Sequence, residues 1–167
     1  MKENFKLVRI DDKYCDYLRK YDSKVMYNAN RKSLRPFVGI LFEVNKYKYF
    51  APLSSPKLKH VKMKNNIDFY KIDGGKLGAI NLNNMIPVMK NQIKYIDLDA
   101  KASDIQKEKY NKMLKSQIFW LNRYGTGLTK KARNLYDKYT EDGLSQNIKI
   151  RCCNYKLLEE KCEEYNK

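Results

Sequence analysis

Ser54 and Ser55 stand directly before Pro56, and Lys57, Lys59, His60, Lys62 and Lys64 follow within ten residues. Two hydroxyls, several ammonium groups and one imidazole so close together are the ingredients for gripping a phosphate and moving protons around it. His60 is the only histidine and the only side chain here whose ordinary pKa lies near neutrality. Lysine neighbours should lower that pKa. Plainer readings of the same residues exist. Ser and Pro are ordinary strand-ending residues, a lysine cluster can be a solvated face, and His60 can be a surface residue with no proton role.

The cluster needs a frame, and the residues before it supply one. Phe37 to Val44 and Tyr47 to Leu53 are rich in β-branched and aromatic residues, with Asn45-Lys46 between them, so they read as a β-hairpin. Its second strand delivers Ser54. The segment from Asp22 to Pro36 has no clear period and reads as a long loop entering the hairpin. It carries Tyr27, Arg31, Lys32 and Arg35, and long loops inside compact domains are often functional.

Phe5 to Ile10 reads as a first strand, followed by a helix capped by Asp11 or Asp12 and running through Lys20. Beyond the cluster, Ile67 to Ile72 and Lys76 to Leu82 read as strands around an Asp73-Gly74-Gly75 turn, with short edge strands at Met85 to Val88 and Ile93 to Leu98. Ser103 and Gln106 have the capping-box spacing for a helix to about Arg123 that buries Ile105, Met113, Leu114, Ile118 and Leu121. Trp120 belongs to that core or its margin. Thr129 caps a helix to about Glu141 with Ala132, Leu135, Tyr136 and Tyr139 buried, and Asn154 caps a last one, Tyr155 to Tyr165. Strands in the first half and helices in the second, without βαβ alternation, predict one α+β domain with an antiparallel, barrel-like sheet.

The formal net charge is +16 over 167 residues, which favours a polyanionic partner, nucleic acid above all. No apolar run approaches the roughly 20 residues of a membrane span, and the opening residues show no signal-peptide pattern, so a cytoplasmic protein is expected. Cys15, Cys152, Cys153 and Cys162 form no CxxC pair and lie far from His60, so neither a disulfide framework nor a metal or other cofactor is expected.

Four runs in register resemble one family: Phe37-Val-Gly-Ile, Tyr49-Phe-Ala-Pro-Leu-Ser-Ser-Pro-Lys57, Gly78-Ala-Ile-Asn-Leu-Asn-Asn-Met-Ile-Pro87 and Cys153-Asn-Tyr-Lys-Leu-Leu-Glu-Glu-Lys161. On these the chain is similar to the ToxN/AbiQ family, the endoribonuclease toxins of type III toxin–antitoxin and phage-abortive systems. The resemblance implies a MazF/Kid-like α+β core and metal-independent RNA cleavage. It also implies an antitoxin RNA that the toxin cuts from a repetitive precursor and whose folded repeats hold it in a closed, ring-like assembly, with no obligate protein partner. Carried over by position, the family's hydroxyl falls on Ser54, with Ser55 beside it, its lysine on Lys57 and its histidine on His60. A loop tyrosine falls on Tyr27, and the loop lysine falls on Arg35, with Lys32 the other candidate. Arginine keeps the charge there but cannot give up a proton near neutrality. Arg31, Lys32, Lys59, Lys62 and Lys64 are then the expected RNA-binding cations.

Metal-free cleavage uses the 2′-hydroxyl as nucleophile on its own phosphodiester and leaves a 2′,3′-cyclic phosphate and a 5′-hydroxyl. On this reading Ser54 orients the 2′-hydroxyl or a phosphate oxygen, Ser55 and Lys57 stabilise developing charge, and Arg35 or Lys32 clamps from the loop. The substrate would be cellular or phage RNA. Two other classes stay open: a non-catalytic RNA-binding module and a basic DNA-binding regulator. No helix reads as a helix-turn-helix reader.

Overall fold

A computed structural model describes residues 4–26 and 35–167. Among these residues eight short strands pair antiparallel, and β4 (Tyr47–Ser54) organises them. Along one side of β4 lie β3 (Glu43–Val44) and β2 (Phe37–Gly39). Along the other lie β7 (Ile86–Val88) and β6 (Ala79–Ile80). β1 (Lys6–Ile10) continues the sheet from β2 to β8 (Ile93–Tyr95), and β5 (Tyr70–Lys71) borders β6.

The expected hairpin turn is present. Val44 pairs with Tyr47, and Asn45 takes a positive φ of 54°, which asparagine tolerates better than most residues. The hairpin's first strand is interrupted, however. β2 stops at Gly39, whose bond to Ile40 is cis; Leu41 and Phe42 exchange backbone hydrogen bonds with Tyr49 (2.9 and 3.0 Å), and β3 begins at Glu43. The barrel expectation needs correction: β5 and β8 lie at opposite ends of the strand order, so the sheet is open. The strands expected at 67–72 and 76–82 shrink to two residues each. Between them a 3-10 turn at Asp73–Gly75 and the positive φ of Gly78 (103°) bend the backbone out of the extended range.

Helices cover the sheet. α1 (Asp12–Arg19) starts where Asp11 accepts a hydrogen bond from the Tyr14 N–H (3.3 Å), and it buries Tyr14, Cys15 and Leu18. α2 (Leu58–Lys62) was not anticipated; it turns the lysine cluster into a single helical turn and a half. α3 (Ile105–Tyr124) begins one residue later than the capping box suggested, because Asp104 rather than Ser103 caps it (2.7 Å to the Lys107 N–H). Ile105, expected in the core, is 70% exposed. The buried face is Leu114, Gln117 and Leu121, one stripe at helical spacing. α4 (Leu128–Thr140), α5 (Gln146–Lys149) and α6 (Tyr155–Tyr165) complete the chain.

The core is unusually rich in tyrosine, and each buried phenol finds an acceptor, as burial requires. Tyr14 donates to the Pro87 carbonyl (2.5 Å), Tyr155 to that of Leu82 (3.0 Å), and Tyr49 and Tyr136 both to the Glu159 carboxylate (2.5 and 2.6 Å). Trp120 lies at the core margin, and all four cysteines are buried. Among the described residues no helix is long and apolar enough to cross a membrane.

Candidate active site

β4 ends at Ser54, and three separate elements hold that end. Ser54 pairs with Ala79 of β6, which sets Asn81 two residues on along the same face. The Asn81 amide donates to Ser54 Oγ at 2.8 Å. From behind, the fully buried Gln117 of α3 donates through Nε2 to the Leu77 carbonyl (2.8 Å) and, at 3.4 Å, to that of Ser54. Gly78 passes so close that a Cβ there would lie 2.2 Å from the Ser54 carbonyl oxygen. The peptide carrying the hydroxyl is therefore fixed by packing rather than left at a fraying strand end.

After Pro56 the chain turns into α2, and its short length matters. The Lys57 N–H donates to His60 Nδ1 (3.2 Å), closing the helix start with the imidazole instead of a carboxylate or hydroxyl. With Nδ1 accepting, the neutral ring carries its proton on Nε2. His60 is 4% exposed. Burial, then the charges of Lys59 and Lys57, lower its pKa from the ordinary 6.5, so the ring is neutral at physiological pH. Gly75 packs against the His60 carbonyl and Lys71 Nζ donates to that of Val61 (3.4 Å), tying α2 to the β5–β6 connection.

These elements enclose a cleft of about 190 Å³ lined by Arg35, Ser54, Lys57, Lys59, His60 and Asn81, with Met26, Met63, Phe69 and Ala79 as apolar walls. Arg35 reaches it from the loop side, its guanidinium donating to the Leu53 carbonyl (3.5 Å). No carboxylate lines the cleft among the described residues. Tyr27, Arg31 and Lys32 lie outside the described residues, and the segment 27–34 contains no Asp or Glu. The donor set is thus suited to a phosphate and lacks the carboxylates that divalent cations prefer.

Five of the expected site residues, Arg35, Ser54, Lys57, Lys59 and His60, are brought together. Ser55, Lys62 and Lys64 are exposed and outside the lining. Ser55 follows Ser54 in an extended chain and so faces the other way. Asn81 was overlooked as a site residue although it sits inside one of the quoted runs, and the strand period after Gly78 could have placed it. Gln117 and Phe69 gave no signal, since nothing local distinguishes a buried glutamine on a basic helix or one more aromatic.

Comparison with known proteins finds similar chains and similar folds. A family model described as toxin ToxN of type III toxin–antitoxin systems matches residues 6–163. The endoribonuclease ToxN of Bacillus thuringiensis subsp. kurstaki is 35% identical over 169 residues, spanning 98% of this chain and 86% of that protein. A solved structure from work on type III toxin–antitoxin systems and selective toxin inhibition by a non-coding RNA pseudoknot superposes with a TM-score of 0.84 at 33% identity, covering 99% of both chains. The structure of AbiQ, a lactococcal anti-phage endoribonuclease, gives a TM-score of 0.78 at 26% identity, covering 98% of this chain and 99% of AbiQ.

Proposed function

The chain belongs to the ToxN family of type III toxin–antitoxin toxins, and on that premise we propose that it is a metal-independent, sequence-specific endoribonuclease. The observation that carries this reading is the Ser54 hydroxyl, held by Asn81, in a cleft of cations that no carboxylate lines among the described residues. The 2′-hydroxyl of the nucleotide before the scissile bond gives its proton to solvent water and attacks phosphorus; the bond from phosphorus to the 5′-oxygen breaks, and that oxygen takes up a proton. The products are a 2′,3′-cyclic phosphate and a 5′-hydroxyl.

Ser54 Oγ accepts from Asn81, which leaves its own O–H to donate to a non-bridging phosphate oxygen. His60, neutral with its proton on Nε2, serves as a second donor rather than as a base. Lys57 and Arg35 oppose the charge that accumulates in the transition state, where preorganised donors contribute most. An ammonium such as Lys57 can also surrender a proton to the departing 5′-oxygen, which Arg35 cannot. Tyr27 is the family tyrosine by position, and Ser55 stands at the rim. Arg31, Lys32, Lys59, Lys62 and Lys64 extend the positive surface for RNA. By the same family premise, the enzyme processes and is inhibited by a repeat antitoxin RNA in a closed assembly, acts in the cytoplasm and serves phage defence.

The test is cleavage of total cellular RNA in EDTA by the wild type and by Ser54→Ala, with end-group analysis. Cyclic phosphate and 5′-hydroxyl ends made by the wild type and lost in the variant are expected. Cleavage that EDTA abolishes, or equal cleavage by both proteins, would overturn the assignment, and binding without cleavage by either would leave an RNA-binding module.

A further inference from the structure

Lys131 in α4 is a half-buried cation that the cleavage chemistry leaves unused. Its Nζ lies 5.8 Å from the centre of the Phe69 ring and 5.9 Å from that of Tyr70. No described carboxylate forms an ion pair with it. The nearest candidate, buried Asp68, is engaged by Arg151 through two hydrogen bonds of 2.9 and 3.1 Å. Burial lowers the Lys131 pKa, and Asp68 offsets this only in part. An ammonium partly stripped of water and compensated chiefly by aromatic faces gains most from an anion brought to it.

The position says which anion. Phe69, under Lys131, is also a wall of the Ser54 cleft. On its other side Lys131 borders a groove of about 380 Å³ with Asn65, Tyr70, Lys71 and Gly74. It also borders a larger one of about 1050 Å³ whose lining is of mixed charge: Lys130, Arg133 paired with Asp137 (3.1 Å), and Glu43. One ring therefore separates the cleavage cleft from a cation at the meeting point of two open grooves. A strand whose scissile phosphate occupies the cleft has further phosphates to place, one per nucleotide.

We infer that Lys131, seated on Phe69 and Tyr70, is a subsite for a backbone phosphate flanking the scissile one in single-stranded RNA. The subsite rests on the RNA-cleaving reading of the Ser54 cleft, and it extends that site towards α4. It would add affinity for any sequence, since a phosphate contact carries no base information.

The test uses the full chain and a 20-nucleotide random-sequence RNA that is 2′-O-methylated throughout, so that its attacking hydroxyls are blocked. Filter binding across a salt series compares wild type, Lys131→Gln and Lys131→Arg. The glutamine variant is expected to bind about fivefold more weakly at moderate salt, with a log–log salt slope shallower by about 0.7, and arginine to restore both. Wild-type affinity and slope in the glutamine variant, or equal loss in both variants, would overturn the subsite. A second measurement needs no variant: acetylation of the wild type by an N-hydroxysuccinimide ester, read by tandem mass spectrometry with and without this RNA. Protection of Lys131 supports the subsite, and protection of Lys57 and Lys59 but not of Lys131 refutes it. Because this RNA cannot be cut, a failure of the cleavage reading shows only with ordinary RNA and is distinguishable.

Discussion

Replacing Gly78 by alanine perturbs the Ser54 peptide without touching any group that meets RNA. Two costs add. A Cβ at Gly78 would lie 2.2 Å from the Ser54 carbonyl oxygen, whereas real Cβ atoms do not come within 3.0 Å, so something must move by at least 0.8 Å (3.0 − 2.2). The Pro56 nitrogen (3.3 Å) and Gln117 Nε2 (3.1 Å) close the other directions of escape. The φ of 103° is also unfavourable for alanine, at about 1–2 kcal/mol, and overpacking adds about 1–3 kcal/mol. A destabilisation of about 2–5 kcal/mol is expected, with a displacement approaching the ~1 Å that can cost about 100-fold in rate. Gly74→Ala is the control: its φ is 64° and nothing lies within 4 Å of the added carbon, so it carries the conformational cost alone. Urea unfolding and single-turnover cleavage, measured on the folded fraction, separate the two effects. Gly78→Ala cleaving as fast as Gly74→Ala would refute the idea that backbone packing behind Ser54 sets its catalytic position.

Two further outcomes test the imidazole and the core. His60 has a lowered pKa in the folded chain, so its neutral form contributes full stability above the unfolded value of 6.5, and that contribution is lost as pH falls through the folded value. Urea unfolding at about pH 7.5 and about pH 5 should show the wild type losing more stability on acidification than His60→Gln, and equal losses would contradict the burial argument. Glu159→Leu removes the acceptor shared by Tyr49 and Tyr136 and should destabilise by about 2–5 kcal/mol, as two buried hydroxyls lose their partner. Cleavage per folded molecule should stay unchanged, and a lost rate without lost stability in the same thermal and kinetic assays would place Glu159 in the chemistry instead.

Much of the chain was legible because the interactions involved are local. The Asp11 cap on α1, the Asn154 cap on α6 and the Asn45 turn each depend on residues within about one helical turn or one hairpin loop. The serine, lysine and histidine of the cleft were visible for the same reason: Ser54, Lys57 and His60 sit within seven positions and one hydrogen bond links two of them. Strand extents beyond the hairpin were overread, since β-rich composition at 67–82 says nothing about the 3-10 turn and positive φ values that shorten β5 and β6. The barrel was expected from the order of strands and helices as well as from the family resemblance, and closure depends on whether distant edges meet, which no local pattern encodes.

By itself the sequence determined that the chain is a basic α+β domain carrying hydroxyls and cations at the end of one strand, because charge, periodicity and capping act over short distances. Only the tertiary structure decided which of them share a cleft. Asn81 reaches Ser54 across 27 residues and Gln117 across 63. Lys131 of α4 meets Phe69 and Tyr70, far earlier in the chain, only in the folded protein. Contacts of that span are set by the packing of the whole core, where each side chain's position is the joint result of many individually weak contacts.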